Sequence, residues 1–359
     1  MSERKLVTFR EVQAICPIEG ADMIELACID GWQCVTKKGE FQVGNIAAYF
    51  EVDSLLPIHP NYEFLRKSSY KKMGDGTEGF RLKSIRLKGE LSQGLLLPLA
   101  FLGLTGNEDE NNLAELLGVI KYEPPISAEL SGIAKGNFPS FIPKTDQERV
   151  QNLTGKLWGT GKTITYFDAD GTEVVKEIPA AVNRKYEISE KTDGSSCTLY
   201  QKDGVFGVCS RNLDLVEDDT NSFWKIANKY NIKEKLRGIN VALQGELAGE
   251  SIQGNPYKLR GQELYLFDIY DIDLARYLSP QERTDFVANH IPEIKTVPIL
   301  ARDFDLPDTL DELLAFVQGK SALNPTQERE GLVFKEEGVG RVRFSFKGIS
   351  NKYLLKAKD

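Results

Sequence analysis

The chain has 359 residues, 41% of them hydrophobic and 27% charged, with a formal net charge of −8. That length holds two domains with separate cores, and the composition is that of a soluble globular protein. No apolar run is long enough to span a bilayer, and no apolar stretch follows the Met1-Ser2-Glu3-Arg4-Lys5 start.

Residues 5–100 read as short strands at 6–12, 24–28, 33–37, 46–50, 79–85 and 94–98, punctuated by Gly31, Gly39, Gly44, Pro57 and Pro60. Five or six short strands in such a span suggest a small closed barrel, and an OB-fold fits that pattern. Within it, residues 61–90 carry Arg66, Lys67, Lys71, Lys72, Arg81, Lys83, Arg86 and Lys88 against Glu63, Asp75, Glu78 and Glu90. Tyr62, Phe64, Tyr70 and Phe80 are interleaved. An acidic chain is not built to coat nucleic acid, but phosphate responds to charge placed along the contact. This stretch is therefore either a nucleic-acid track or a solvated loop and strand pair. A helix follows at about 112–118, and Pro124-Pro125 then breaks the pattern. The expected organisation is an OB-like domain over 1–120, a linker over 121–140 and a second domain over 141–359.

The second domain alternates strands and helices. Strands are expected at 186–190, 197–201, 206–210, 241–247, 264–271, 331–335 and 342–346. One helix is expected over about 221–236. A second starts at the cap Ser279, with Pro280 and Glu282 behind it. A third starts at Thr309, with Glu312 three residues on, and stops near Gly319. Long connections of irregular length favour an α+β domain over a regular βαβ repeat.

Five cysteines (Cys16, Cys28, Cys34, Cys197, Cys209) without a C-x-x-C pair suggest a reducing, cytoplasmic setting and speak against structural zinc or a disulfide framework. With only His59 and His290, a multi-histidine metal site and a His-based triad are nearly excluded. Polar catalysis must then rest on Lys, Arg, Asp and Glu. One lysine stands out. Lys191-Thr192-Asp193-Gly194 directly follows the strand-like Tyr186-Glu187-Ile188-Ser189-Glu190. A hairpin turn with Asp-Gly at its tip fits those four residues as well as a nucleophile does.

The segments downstream change that weighing. Together they resemble the covalent nucleotidyltransferase superfamily of ATP-dependent RNA and DNA ligases and mRNA capping enzymes. Lys191-Thr192-Asp193-Gly194 looks like its motif I, Ser210-Arg211-Asn212 like motif Ia and Gly245-Glu246-Leu247 like motif III. Leu266-Phe267-Asp268-Ile269 looks like motif IIIa, Glu330-Gly331-Leu332-Val333-Phe334-Lys335 like motif IV and Phe346-Lys347 like motif V. Each match is short, but all fall in order. The resemblance implies that Lys191 becomes adenylylated by ATP. Its amine must be partly deprotonated, so its pKa has to fall from ~10.4 through desolvation and nearby positive charge. Lys347 and Mg2+ (or Mn2+) would supply that charge, with Asp193 and Glu330 holding the metal through its waters. Glu246 would accept ribose hydroxyls, Phe267 would stack on adenine, and the Glu190 backbone would read the adenine amino group. Gly194 joins this nucleotide-binding set, Arg211 would touch ribose or the acceptor phosphate, and Lys335 a phosphate. Ordinary roles compete for single residues: strand-end carboxylates for Glu246 and Asp268, core packing for Phe267, a solvated strand face for Arg343 and Lys347.

With an OB-like module ahead of the motifs and only Gly348 to Asp359 after Lys347, the chain is similar to the Deinococcus-type RNA ligase family. Gly31-Trp32-Gln33-Cys34-Val35-Thr36-Lys37-Lys38-Gly39-Glu40-Phe41, Ser92-Gln93-Gly94, Phe138-Pro139-Ser140-Phe141-Ile142-Pro143-Lys144-Thr145-Asp146 and Ile349-Ser350-Asn351-Lys352-Tyr353-Leu354-Leu355-Lys356 carry that likeness. One departure is Ser345, where other RNA ligases have a first motif V lysine; Lys352 and Lys356 are the candidates to compensate. The implied activity is ATP-dependent sealing of nicks in duplex nucleic acid whose 3′-hydroxyl strand is RNA, with no membrane and no obligate protein partner. A DNA ligase, a GTP-using capping enzyme and a non-catalytic nucleic-acid-binding protein are the alternatives.

Overall fold

The computed structural model describes residues 5–73, 76–122, 132–159, 162–167, 173–178, 183–337 and 343–356. Asp75, Pro124, Pro125 and Val342, which entered the expectations above, lie outside that set. The chain divides into two compact units, Met1–Glu129 together with Leu354–Asp359, and Leu130–Tyr353. No helix among the described residues is long and apolar enough to cross a membrane.

In the first unit, strand Ile46–Phe50 runs antiparallel between Val7–Glu11 and Leu95–Pro98. Successive side chains leave a strand on opposite faces, and here both faces are covered. Ala48 and Phe50 join Val7, Leu56, Tyr62, Phe80 and Leu97, while Ala47 and Tyr49 join Ala27, Trp32, Cys34 and Leu96. That two-sided burial is why the strand reads as an unbroken apolar run. The expected strand number was too low. Ala14–Pro17, Ser54–Pro57, Tyr70–Lys72 and Glu90–Gln93 are strands as well. The 79–85 run is two strands, Glu78–Arg81 and Ser84–Leu87, in different sheets. Pieces so short give too few residues for alternation to show. Gly94 has a backbone reason to be glycine: its φ is +95°, and a Cβ there would lie 2.5 Å from the Phe50 carbonyl oxygen.

The second unit holds two large sheets. One runs in the order Ala134–Asn137, Leu213–Leu215, Val205–Cys209, Ser195–Lys202, Val241–Gly249, Gln262–Asp271, Arg276–Tyr277, with Lys295–Thr296 beside Gln262–Asp271. The other runs Glu148–Arg149, Ser345–Ile349, Gly331–Glu336, Lys185–Lys191, Ile299–Asp305. Most pairs are antiparallel, and helices pack outside them, which is the α+β arrangement expected. Ala134–Asn137 is part of the first of these sheets, so structure of the second unit begins inside the stretch expected as linker.

Ser279 caps helix Pro280–His290 as read: its hydroxyl accepts the Glu282 N–H at 3.2 Å and the Glu282 carboxylate accepts the Ser279 N–H at 2.8 Å. Thr309 likewise caps Leu310–Val317. The helix expected over about 221–236 is two, Ser222–Lys229 and Ile232–Lys235, because Asn231 between them adopts φ +51°. Trp224, Ile226 and Ala227 of the first pack with Ile232 and Leu236 onto Leu199, Leu243 and Leu266 of the larger sheet. Each buried Leu or Ile among them contributes roughly 1.5–3 kcal/mol by leaving water. On the smaller sheet Tyr186, Ile188, Leu332, Phe334 and Phe346 meet Leu313 and Val317. The period-2 rule then sends Glu187, Ser189 and Lys191, with Lys335 and Lys347, to the opposite, polar face.

Candidate active site

Strand Lys185–Lys191 pairs with Gly331–Glu336 and Ile299–Asp305, whereas Ser195–Lys202 pairs with Val205–Cys209 and Val241–Gly249. The two strands flanking Thr192-Asp193-Gly194 therefore belong to different sheets. The segment is a corner between sheets, and the hairpin reading of these residues is excluded. Gly194 sits where a Cβ would lie 2.4 Å from the Leu247 carbonyl oxygen and 2.9 Å from Glu246 Cγ. Glycine is needed at this corner because the next sheet, with Glu246, comes that close.

Lys191 points from the corner to Glu330, with Glu246 and Asp193 close enough to act on its charge. Its Nζ donates to both oxygens of Glu330, at 2.7 and 2.6 Å. Burial alone would pull its pKa down, but Glu330, Glu246 and Asp193 outweigh that and push it up. With protein groups only around it, Lys191 is thus an ammonium, opposite to the lowered pKa that catalysis was expected to need. Burial also raises Glu330, against the pull of Lys191 and Lys347. Glu246 is pushed up to about 7, chiefly by burial, with Glu330 and Asp193 adding to it against Lys191. Asp193 is held on two sides: its N–H donates to the Tyr257 hydroxyl, and its carboxylate accepts the Tyr353 hydroxyl. Burial keeps both phenols well above the usual tyrosine range, so both stay protonated.

Phe267 owes its place to a break in the sheet. The register between Val241–Gly249 and Gln262–Asp271 jumps from Gln244↔Asp268 to Gly245↔Leu266, leaving Phe267 as the extra residue of a β-bulge. Bulges re-aim side chains, and this one leaves the ring half-buried beside Ala248, Tyr257 and Val297. Lys335 does not fit the phosphate contact expected of it. Its side chain is 3% exposed, and its Nζ donates to the Phe267 carbonyl at 2.6 Å and meets Asp268 at 3.1 Å. Burial lowers its pKa to about 8. Asp268 also accepts both terminal nitrogens of Arg343, at 2.8 and 2.7 Å. Burial would raise the Asp268 carboxyl, but Arg343 and Lys335 overrule it and hold it well below the usual range. Nearby, Glu187 takes Arg283 at 2.6 Å and Arg302 at 3.2 Å.

Glu190 is buried, but its N–H is spent on the Pro298 carbonyl and its carboxylate on Ser321 and Ala322. Arg211 is exposed and pairs with Asp146 at 2.7 Å. Lys347 lies on the polar face of its strand, opposite Val333 and alongside Arg149. At the irregular motif V position, the Ser345 hydroxyl donates to Gln147 at 2.6 Å. Lys352 is exposed on helix Asn351–Lys356. Tyr257, Tyr353 and Arg149 were not singled out from the sequence. Tyrosines and a lone arginine without a motif of their own carry no local signal, and only the fold brings them here. Among the described residues, no group of three or more His, Cys, Asp or Glu side chains is arranged to hold a metal ion by direct ligation.

An OB-fold domain model matches residues 6–99, and an RNA ligase model matches residues 184–350. A Naegleria gruberi RNA ligase solved with pyrophosphate is 45% identical, with 99% of each chain covered and a TM-score of 0.78. The chain belongs to the RNA ligase family. A lysine variant of the Naegleria ligase with AMP and manganese, and another with ATP and manganese, are each 44% identical over 98% of this chain and 99% of theirs, with TM-scores of 0.79. No curated protein matches the chain. The first unit of this RNA ligase is an OB-fold domain, and the second is the ligase nucleotidyltransferase domain. The expectation of an RNA-acting enzyme rather than a passive binding module is thereby met.

Proposed function

We propose that this RNA ligase seals a 3′-hydroxyl/5′-phosphate nick in duplex nucleic acid, with RNA on the 3′-hydroxyl side, and that it belongs with the Deinococcus-type enzymes whose OB module precedes the catalytic domain. First, the Lys191 amine attacks the α-phosphorus of ATP, forming an Nζ–P bond and releasing pyrophosphate. A 5′-phosphate oxygen then attacks that phosphorus and frees Lys191. Finally the 3′-hydroxyl attacks the 5′-phosphorus, closing the phosphodiester and expelling AMP. All are displacements at phosphorus, where positioning and charge neutralisation dominate.

The observation that carries this reading is the corner itself: Lys191 emerges between two sheets, held by Glu330 and within the field of Glu246 and Asp193. Carboxylate oxygens of that kind suit Mg2+ or Mn2+. Manganese accompanies AMP or ATP in the Naegleria structures. Asp193 and Glu330 are the residues to hold the ion through its waters, where it would supply the positive charge that favours a neutral lysine. Once Glu330 turns to that task, Lys191 loses the contact that now keeps it protonated. Glu246 receives the ribose hydroxyls, and Phe267, aimed by its bulge, stacks on adenine. Arg211 and Lys347 face the phosphates. In the first unit, exposed Lys67, Lys71, Lys83 and Lys88 provide a track for the duplex backbone. The cysteines, all free thiols, suit a cytoplasmic enzyme without an obligate partner.

Incubation with labelled ATP and a divalent metal is the test. Wild type should form an acid-stable AMP adduct that Lys191→Ala abolishes, a loss of at least about three orders of magnitude in rate. Label taken from GTP instead of ATP, or an adduct that survives the substitution, would sink the proposal. Sealing of matched nicks with RNA or DNA on each side then fixes the strand preference.

A further inference from the structure

The segment from Ser350 into helix Asn351–Lys356 reaches the backbone of Glu330 and the carboxylate of Asp193 by separate routes. The buried Ser350 just ahead of it donates its N–H to the Glu330 carbonyl at 2.8 Å. The Ser350 hydroxyl donates to Gln318 Oε1 at 2.8 Å and accepts the Tyr353 N–H at 3.2 Å, capping the first turn. Gln318 Oε1 also accepts the Lys352 N–H at 3.2 Å, and Gln318 is itself tied to Leu314 through a 3.0 Å bond from its Nε2. The helix start is thus bolted to helix Leu310–Val317 and to the backbone of Glu330. From this fixed base the half-buried Tyr353 extends its hydroxyl to the Asp193 carboxylate. On the other side of Asp193, its N–H is taken by Tyr257, which is 6% exposed in an apolar cluster with Ala248, Tyr265 and Val297.

A carboxylate on a corner between sheets, followed by glycine, has few neighbours of its own to fix its rotamer. Groups that bind a metal need their orientation set by a second layer of hydrogen bonds. We propose that Tyr353 is a positioning residue for Asp193, delivered by the C-terminal helix, and that it sets how tightly the site takes a divalent cation. This rests on the assignment of Asp193 to the metal made above. It also gives the Ser350-to-Tyr353 segment a task distinct from lysine chemistry: it fixes an anion instead of adding a cation.

The test uses the full-length protein and Mn2+ as the probe, with binding in the presence of AMP followed by electron paramagnetic resonance. Tyr353→Phe keeps the ring and removes only the donor. It should raise the Mn2+ dissociation constant about tenfold, the lower end of what losing an outer-layer partner costs. In adenylylation assays the apparent Mn2+ constant should rise by a similar factor, with most of the rate recovered at saturating Mn2+. Ser350→Ala, which loosens the helix start, should shift both in the same direction by less. Mn2+ binding unchanged or tighter in Tyr353→Phe overturns the proposal, and Ser350→Ala decides it in the same way if Tyr353→Phe melts early. Asp193→Asn separates the two layers. If it weakens Mn2+ binding while Tyr353→Phe does not, only the Tyr353 role falls; if it has no effect, the metal assignment falls and this proposal with it.

Discussion

Two charged regions, one in each unit, use their charge in opposite ways. In the second unit, Lys191, Glu187, Arg283, Asp268, Arg343 and Lys335 are buried or half-buried, and each meets an opposite charge within hydrogen-bond reach. In the first, Arg66 pairs with Glu63 at 2.6 Å, Lys72 with Glu78 at 3.1 Å and Arg81 with Asp53 at 2.8 Å. Lys67, Lys71, Lys83 and Lys88 are exposed and join no ion pair among the described residues. The difference follows from solvation. A charge taken out of water must be paired and hydrogen-bonded or it costs several kcal/mol, so the catalytic unit is wired internally. An exposed lysine costs nothing to leave open and stays available to a partner. Charge density along the sequence does not distinguish the two; burial does.

The largest expected effect breaks the wired side. Asp268→Asn strands Lys335 and Arg343 in the interior and should cost about 3–5 kcal/mol in urea unfolding. The matching change at the exposed pair, Glu63→Gln, should leave the midpoint where it was. The pH dependence has a definite sign. Asp268 is held below its unfolded value of ~3.9, so its contribution is present above that pH and lost as pH falls through the folded value. The gap between wild type and Asp268→Asn should therefore close in acid. Equal destabilisation by both substitutions would erase the contrast between the regions.

Next in size is Lys335→Met, which asks whether the wiring also shapes the nucleotide site. Without the ammonium, the Phe267 carbonyl freed by the bulge loses its donor and the ring loses its aim. The KM for ATP in adenylylation should rise by about tenfold, as for an outer-layer partner, with a smaller change in the maximal rate. A fall in rate at unchanged KM would return Lys335 to the phosphate role. Stability supplies a second reading. The folded pKa of about 8 lies below the unfolded ~10.4, so the unfolded chain binds more protons between those values. Wild-type stability should climb over that window relative to Lys335→Met.

How much of this was legible in the sequence differs by residue, and the reason is mostly distance along the chain. The caps at Ser279 and Thr309 were readable because a cap is a local device spanning three residues. The α+β class followed from connection lengths, and the order of motifs singled out Lys191, Glu246, Phe267, Glu330 and Lys347 as candidates. That Lys191 stands at a corner rather than a hairpin depends on which strands pair, and these lie as far off as residues 331–336 and 241–249. The bulge under Phe267 is a one-residue slip in register, invisible to alternation in either strand alone. The burial of Lys335 was hidden for the same reason: its partner Asp268 is brought to it by the fold. Tyr353 was inside a quoted segment, but nothing local says that a tyrosine on a short helix reaches Asp193.

A smaller effect tests the site's own electrostatics. Glu246 sits at about 7 in the folded protein against an unfolded ~4.3, so it binds a proton in the folded state that the unfolded chain gives up. Its contribution is fully present below the unfolded value and declines as pH rises through 7. Between pH 4.5 and 7.5 the stability of wild type should fall relative to Glu246→Gln, measured by urea unfolding at each pH. Parallel pH profiles for the two proteins would mean that Glu246 is better solvated than its burial implies.

The smallest effects belong to the open side. If exposed Lys71, Lys83 and Lys88 serve to meet phosphate, replacing each by alanine should weaken binding to nicked duplex about evenly across sequences. The slope of log affinity against log salt should drop by up to ~0.9 per lysine. Lys72→Ala should do less, because Lys72 must first give up Glu78. None of these changes should touch the proposed transfer of AMP to Lys191. An unchanged salt slope in the triple variant would make the stretch a solvated surface and move the duplex contact elsewhere. A slope that falls with Lys72→Ala as much as with Lys71→Ala would show that exposed ion pairs are given up freely to phosphate. The line between wired and open charge would then run at burial alone, not at pairing.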